Sequence, residues 1–554
     1  MSASATSDTQ GADSRIGFLG TWALAALIVA LAVAQMVSGH LNGDNSWFIT
    51  FAEKVANGAR AYVDVSDPNP PAAFLLYMPA VHLAHVLGVS AEAATIFIVF
   101  LLAAASLALT ARVVAASGLA GKDETAIWRN AALFLLLVAP GFGFAEREHF
   151  ALLFVLPLIA LSAARASQRC VMAGLVPAIH GNAGAFRQSE AQRRGVDGRD
   201  KPGHDDRGIN APPASLVAAV GLVGGLTVCV KPHYAAAIMA AAGVAAWRAR
   251  SWRVLFALEN LVAAGVFVAY ACMVALAYPA YFTHALPAIL DVYGPARQSM
   301  LSVVATPPFV FVAIAVAAVL LAARKLGGDA RAEVICAAAL GFLLTYVVQA
   351  KGWFNHAYPA VALAALAAVV LWTGKRGQGE PAAKFGRLVL LPALVCAPVM
   401  GAVTMNFPGA EEYPGLTQAV RDVAPARPKI AALAEQLDVG HPLTRRLGGQ
   451  WIGRQNALWI SNCVSQILTA KNVDDATKAK LVAYAQRDRA EFAEDVRAGA
   501  PDILLAETTQ FRQWAQMTPE LAPLFEAYAL KAKVGEIEIW TRAPNAAPLR
   551  GRVM

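Results

Sequence analysis

Long apolar runs follow one another along most of the chain, separated by short polar turns. Eleven of them approach the roughly 20 residues that a helix needs to cross a bilayer. They lie at 17–38, 93–114, 127–144, 149–166, 214–230, 233–249, 253–277, 306–323, 333–350, 355–373 and 386–405. The pattern predicts a mainly α protein in which residues 1–405 form a polytopic membrane helical bundle of about 11 spans.

A further apolar stretch, 72–88, follows a Pro-Pro pair and contains Pro79, His82 and His85. We interpret it as an interfacial helix within a large first outer loop, because counting it as a span would reverse the charge balance. With eleven spans and a cytoplasmic N-terminus, roughly 22 Lys and Arg lie in inner segments and about 6 in outer loops, as the positive-inside rule requires. A signal peptide cleaved after Ala34 is an alternative for the first run and leaves this orientation unchanged.

Two segments differ from the apolar pattern. Residues 168–210 are polar and aperiodic, which predicts a disordered cytoplasmic insertion without a catalytic role, despite His180 and His204. Residues 406–554 are less hydrophobic and predict a small extracytoplasmic α/β domain. Its predicted elements are helices at Pro428–Leu437 and Asp474–Val496 and strands at Asp502–Ala506 and Gly535–Thr541.

Composition supports a membrane protein, because 57% of the residues are hydrophobic and 15% are charged. The net charge of +8 is explained by basic inner loops, so we expect no nucleic-acid partner. The six cysteines show no metal-binding spacing and no disulfide framework.

Charged and histidine residues collect at five outer turns of the predicted topology. The turns carry Asp44, Asp64 and Asp67; Glu146-Arg147-Glu148-His149; Lys231-Pro232-His233-Tyr234; His284, Asp291, Tyr293 and Arg297; and Lys351-Gly352-Trp353-Phe354-Asn355-His356. Charges at a membrane boundary are costly unless they face water, a partner or a substrate. The five turns therefore predict one outward-facing cavity.

The first outer turn also carries a recognisable motif. Gly43-Asp44-Asn45-Ser46-Trp47 is followed by Gly58-Ala59-Arg60-Ala61-Tyr62-Val63-Asp64 and by Asn69-Pro70-Pro71. This order resembles the first extracytoplasmic loop of GT-C glycosyltransferases of the aminoarabinose-transferase and protein-mannosyltransferase type. The resemblance covers residues 17–405.

The resemblance implies an inverting transfer of a sugar from a polyprenyl-phosphate carrier at a bacterial inner membrane, to a periplasmic glycan, lipid or protein. It makes Asp44 the general base and places a second acidic site at Glu146 and Glu148. Basic side chains of the type that binds phosphate are Arg147, Lys231, Lys351 and protonated His356. Further cavity residues would be Asp64, His233, Tyr293 and Trp353.

A metal cofactor is left open. The family pattern has an aspartate where this chain has glutamates, and often a two-acid pair where this chain has Asp44-Asn45. Magnesium or manganese sites normally want several convergent carboxylates, so a divalent metal is weakly supported.

Alternative interpretations remain for the protein and for its residues. A transporter or flippase of a lipid-linked glycan is the main one, and a glycan polymerase or ligase is another. Outer basic residues can snorkel, Glu146 and Glu148 can simply pair with Arg147, Trp353 can be an interfacial anchor, and Asp44 can be solvated. Residues 449–454 form either an acceptor surface or a turn that packs Trp451 into the core.

Overall fold

The computed structural model describes residues 5–38, 41–181, 212–374 and 413–543. Its first part is helical. The helices are α1 (Ala5–Ser38), α2 (Gly43–Ala56), α3 (Ala72–Leu75), α4 (Met78–Leu87), α5 (Ala91–Ser117), α6 (Lys122–Leu137), α7 (Arg147–Gly181), α8 (Ala214–Val230), α9 (Ala235–Arg248), α10 (Leu258–Ala277), α11 (Leu286–Ala288), α12 (Met300–Val304), α13 (Pro307–Lys325), α14 (Ala330–Gln349) and α15 (Phe354–Gly374).

Seven of the described helices are long and apolar enough to cross a membrane, which supports a multi-pass membrane protein. They are Gly20–Val37, Ala91–Ser117, Arg147–Ser167, Leu258–Ala277, Pro307–Lys325, Ala330–Gln349 and Phe354–Gly374. The predicted number of eleven is not confirmed. Helices α6, α8 and α9 have 16, 17 and 14 residues, and the predicted run 386–405 lies outside the described residues.

The predicted interfacial stretch is broken into α3 and α4, neither long enough to span a bilayer. The predicted aperiodic segment 168–210 differs from the structure at its start, because α7 continues to Gly181. The remainder of that segment, from residue 182, lies outside the described residues.

Helices α7 and α15 form the centre of the bundle, with 83% and 89% of their spans buried, whereas 11% of α10 is buried. Small residues permit the close packing. A Cβ atom at Gly221 would lie 2.6 Å from the carbonyl oxygen of Glu259, and one at Gly341 would overlap Ala237 of α9. Small residues at helix contacts are typical of membrane bundles, where backbones approach closely. Glu259 itself pairs with Arg165 of α7.

The C-terminal part is a small α/β domain, as predicted. Its strands are β1 (Lys429–Leu433), β2 (Gln450–Trp451), β3 (Ile503–Ala506), β4 (Tyr528–Val534) and β5 (Ile537–Arg542), in the order β2-β1-β3-β5-β4. Its helices are α16 (Leu416–Val423), α17 (Leu443–Arg446), α18 (Trp459–Ala470), α19 (Asp475–Gly499) and α20 (Thr509–Met517). Strands β1, β2 and β3 pair in parallel, and β3, β5 and β4 pair antiparallel.

Helix α19 and strands β3 and β5 confirm three predicted elements, but the predicted helix Pro428–Leu437 is wrong. Strand β1 lies there, paired through Ile430 with Ile503. A short apolar run that is buried on both faces has no alternation, so its period does not separate strand from helix. Trp451 is 3% exposed, so residues 449–454 form a turn that packs Trp451 into the core, the second of the two interpretations given above.

The domain packs against the loop that follows α1. Arg445 contacts Glu53 at 2.6 Å and also pairs with Glu92 at the start of α5. The ring of His441 lies against Trp47, with 5.5 Å between centroids. A Cβ atom at Gly43 would overlap Asp438 of the domain, so glycine permits this approach. We call this end of the helical region the domain side.

Asp488 gives the domain a predicted pH dependence. It is buried under α18, where Ser461 donates both its backbone N–H and its hydroxyl to Oδ2. Burial raises the pKa of Asp488 to about 7, against the effect of these hydrogen bonds. The carboxyl group therefore loses its proton at a lower pH in the unfolded chain than in the folded one. The free energy of unfolding consequently falls as the pH rises from 4 to 7, by up to about 1.4 kcal/mol per pH unit.

We expect Asp488→Asn to remove that slope, because an amide cannot ionise and still accepts from Ser461. Unfolding free energies of both proteins, measured by denaturant titration at several pH values between 4 and 8, test this. Parallel pH profiles for the two proteins would contradict it.

Candidate active site

The candidate site begins at the first turn of α2. Asn42 caps this helix, and its side-chain oxygen accepts from the backbone N–H of Asn45 at 2.9 Å. Asp44 follows in the first turn, where a negative charge is favoured by the helix dipole. Its Oδ2 accepts from Nη2 of Arg147 at 2.9 Å. Its side chain is 22% exposed and that of Arg147 is 5% exposed, so one edge of the carboxylate is open.

Glu146 lies next to this pair and is held by two amides. The side-chain NH₂ groups of Asn42 and Asn355 donate to its two carboxylate oxygens. Burial, followed by the charges of Asp44 and Glu148, raises the pKa of Glu146, although the amide of Asn355 opposes the shift. The environment thus favours the protonated carboxyl over the carboxylate.

A second group of buried charges surrounds Glu148. Lys231 Nζ donates to Glu148 Oε1 at 2.5 Å and to Gln349 Oε1 at 3.1 Å. His356 Nε2 lies 3.5 Å from Glu148 Oε1 and 3.4 Å from Lys231 Nζ. The Tyr234 hydroxyl also donates to Glu148 Oε1, at 3.1 Å. We call Glu148, Lys231 and His356 the buried charge group.

The buried charge group retains unused hydrogen-bonding capacity. Glu148 Oε2 and His356 Nδ1 are buried and find no hydrogen-bond partner among the described residues. Burial lowers the pKa of Lys231, and the carboxylate of Glu148 opposes this shift. The charged ammonium is therefore stabilised mainly by Glu148, and any anion that approached it would add to that stabilisation.

A cavity of about 420 Å³ adjoins this group on the domain side. Lys231 and Gln349 belong both to the group and to the cavity lining. Other polar lining residues are Asn69, His233, Arg297 and Lys351, and the aromatic ones are Phe267, Tyr270, Tyr281, Phe282 and Tyr293. The cavity thus combines cationic side chains with an aromatic wall.

Two basic residues of the cavity lining, His233 and Lys351, are not simply free cations. Burial and the charge of Lys231 lower the pKa of His233 to about 4, so its imidazole is neutral at pH 7. Lys351 Nζ donates to the carbonyl oxygens of Tyr293 at 3.0 Å and Ala296 at 2.6 Å. It also lies 3.9 Å from the centroid of the Tyr293 ring. Lys351 therefore holds backbone as well as facing the cavity.

The structure brings several of the sequence-predicted residues together. Lys231, Lys351, His233 and Tyr293 line one cavity, and Glu148 and His356 contact Lys231. Arg147 does not join Lys231 and Lys351 in the cavity lining, although the sequence led us to expect it. It pairs with Asp44 instead.

Two predicted residues lie outside this arrangement. Asp64 forms an exposed pair with Arg60, whose hydrogen bonds lower the pKa of Asp64 to about 2. Trp353 is 48% exposed, and its ring contacts that of His356 edge-on, with 5.1 Å between centroids. Neither residue lines the cavity.

Sequence reasoning gave no individual role to four residues of the candidate site. These are Asn42, Gln349, Asn355 and Arg297. The role of Asn42 as a helix cap could have been predicted, because asparagine is a typical N-cap residue before an apolar helix. Across the described ranges, no three His, Cys, Asp or Glu side chains are grouped so that they could hold a metal ion.

Comparisons with known proteins return few similarities. No family model matches the chain, and no curated protein matches it significantly. Among solved structures, it is similar to cryo-EM structures of the arabinofuranosyltransferase AftD from mycobacteria. One has 15% identity and a TM-score of 0.43, and the match covers 95% of this chain and 40% of that one.

A structure of a mutant AftD gives 14% identity, a TM-score of 0.42 and coverages of 94% and 41%. The chain thus spans about two fifths of the length of the structures that it matches.

Proposed function

We propose that the protein is a membrane glycosyltransferase that moves a sugar from a polyprenyl-phosphate carrier to a glycan, lipid or protein acceptor. The observation that carries the proposal is the cavity beside the buried charge group, on the side of the membrane bundle where the C-terminal domain packs. Such a cavity can accept an anionic headgroup while the carrier's tail stays in lipid. We place this side in the periplasm of a bacterial inner membrane.

The leaving phosphate is assigned to Lys231 and Lys351, with the imidazole of His356 beside Lys231. Preorganised cations stabilise charge that develops as the sugar–phosphate bond breaks. Glu148 holds the ammonium of Lys231 at 2.5 Å and so keeps it charged where burial opposes charge. Arg147 is assigned to the Asp44 carboxylate, which it orients through a hydrogen bond of 2.9 Å.

Asp44 is assigned as the general base. The acceptor oxygen attacks the anomeric carbon, the bond from that carbon to the phosphate oxygen breaks, and its electron pair stays on the phosphate. The acceptor proton passes to the open edge of Asp44. Attack from the face opposite the phosphate inverts the anomeric centre. Glu146 stays protonated beside it and spares Asp44 a second neighbouring negative charge.

Transport of a lipid-linked glycan is the competing function. Transporters place their binding sites near the bilayer midplane, in broken helices. Here Glu148 is the second residue of α7, Lys231 follows the last residue of α8, and His356 is the third residue of α15. This position at helix ends favours chemistry at the membrane surface.

We expect the double substitution Glu148→Gln/Lys231→Met to weaken binding of polyprenyl phosphate by about tenfold or more, because a charge-assisted hydrogen bond contributes about 1.5–3 kcal/mol. Removing both charges avoids leaving either one unpaired. Binding to the purified protein, measured by thermal stabilisation, tests this. The matched control is Arg248→Met/Glu333→Gln, which removes an ion pair between α9 and α14 that is absent from the cavity lining. Equal affinities of the two double variants would contradict the proposal.

A further inference from the structure

One wall of the cavity is an irregular segment between α10 and α12. We call residues 281–298 the wall segment. It contains two π-helical stretches, Tyr281–Ala285 and Ile289–Tyr293, on either side of α11. Single π-helical turns are frequent at functional sites. The wall segment contributes Tyr281, Phe282, Ile289, Tyr293, Gly294 and Arg297 to the cavity.

The other side of the wall segment packs on the C-terminal domain. Val292 is fully buried and Ala296 is 6% exposed. Both belong to an apolar cluster with α18 and α19, which contribute Cys463, Val464, Ile467, Leu481 and Ala485. The Tyr293 ring also meets Trp459 edge-on, with 6.0 Å between centroids. The same short segment therefore faces the cavity and the domain.

Polar contacts reinforce this packing. Asp291 Oδ2 accepts from Lys480 Nζ at 2.7 Å and from the Tyr484 hydroxyl at 2.8 Å. Lys471 Nζ donates to the carbonyl oxygen of Pro295 at 2.8 Å. Two donors on one carboxylate fix its position, and α19 supplies both of them.

The membrane bundle holds the segment from within. Lys351 donates to the carbonyl oxygens of Tyr293 and Ala296. The carbonyl oxygen of the preceding residue, Ala350, accepts from the backbone N–H of Gln298 at 2.9 Å. The segment is thus held between Lys351 on one side and α18 and α19 on the other. Its helical turns are short and irregular, so these contacts help to define its position.

Arg297 is the residue most affected by this arrangement. Its Nε donates to the carbonyl oxygen of Gly294 at 2.6 Å, which turns the side chain back along the segment. The side chain lines the cavity that also contains Lys231. A guanidinium has five N–H donors, so its other N–H groups are open to an anion in the cavity.

We propose that the C-terminal domain positions the donor site: α18 and α19 hold the wall segment so that Arg297 presents its guanidinium to the carrier phosphate. Asp291, Lys480 and Tyr484 are positioning residues, and Arg297 is the ligand. The inference rests on the proposed polyprenyl-phosphate donor. It makes the domain part of donor binding, whichever acceptor the protein uses.

The test compares full-length variants. We expect Lys480→Ala/Tyr484→Phe to weaken polyprenyl phosphate binding about tenfold, since small displacements of a positioned group have large effects. Arg297→Met should weaken it at least as much, and combining it with the double variant should add little, because both changes act on one contact. Lys480→Arg should retain wild-type affinity. Lys478→Ala, which alters an exposed lysine on the same helix, is the control.

Hydrogen–deuterium exchange of residues 289–298 provides a readout independent of the ligand. We expect faster exchange there in the Lys480→Ala/Tyr484→Phe variant than in the Lys478→Ala control. Unchanged exchange, or additive losses of affinity with Arg297→Met, would overturn the inference. If the wild-type protein bound no polyprenyl phosphate, the proposed function would fail, and exchange alone would decide whether the domain holds the segment.

Discussion

Replacing Asp44 by asparagine should lower the rate of sugar transfer by about 10²–10⁴-fold, the typical loss when a general base is removed. Asparagine keeps an oxygen that can accept from Arg147, so the local geometry is retained. The cost in folding should exceed the about 0.3–1 kcal/mol typical of a charge lost at a helix N-terminus, because Arg147, whose side chain is 5% exposed, loses its charged partner. Initial rates and unfolding temperatures of the two purified proteins give both quantities.

Asp475→Asn is the matched control, because Asp475 also lies in the first turn of a helix, is exposed and has no assigned role. It should transfer sugar at the wild-type rate. If Asp44→Asn transferred sugar within a few-fold of wild type, Asp44 would not be the base. Its pair with Arg147 would then be purely structural.

The second large effect concerns stability. Glu148→Gln alone should cost about 3–5 kcal/mol of unfolding free energy, because it leaves the buried charge of Lys231 without its partner. The side chains of Glu148 and Lys231 are 1% and 7% exposed, so water can compensate only in part. Adding Lys231→Met should restore most of the loss. Denaturant titration in detergent micelles measures both changes.

Glu333→Gln provides the comparison, since it leaves Arg248 without this partner in a pair that is 27% and 14% exposed. Solvent screening should make its cost clearly smaller. An equal loss for the single and double variants at Glu148 would show that Lys231 carries no charge in the folded protein. The assignment of Lys231 to the donor phosphate would then fail.

Much of the architecture could be predicted from the sequence, because burial in a bilayer leaves a strong signal. Spans such as 355–373 match the structure closely, as α15 covers Phe354–Gly374. Helix α6 was harder, since its first turn carries Lys122, Asp123 and Glu124 and it ends at Leu137, before the apolar pattern ends. A hydropathy pattern records burial and cannot show where a helix unwinds.

The sequence indicated where the candidate site lies, but not which of its charged side chains pair with one another. Charges at separate outer turns had to share an aqueous or buried environment, and Glu148, Lys231 and His356 do meet. That Arg147 pairs with Asp44 depends on the packing of α2 against the start of α7. Long-range contacts of this kind produce no recognisable pattern of residue spacing in the sequence.

The wall segment was also beyond sequence analysis. Its apolar residues continue the pattern of α10, and its second π-helical stretch contacts both Lys351 and the domain. Local composition does not encode such turns. The role proposed for Arg297 depends on such turns, and the sequence does not distinguish this residue from any other exposed arginine.

The most direct test of the proposed function follows the fate of the carrier. Purified protein in liposomes would be supplied with polyprenyl-phosphate-linked sugars, together with acceptors, extracted from bacterial membranes. We predict that the wild-type protein converts these lipids to free polyprenyl phosphate and that Asp44→Asn does not. Movement of intact lipid-linked sugar between the leaflets, with no release of polyprenyl phosphate, would contradict a glycosyltransferase and indicate a flippase.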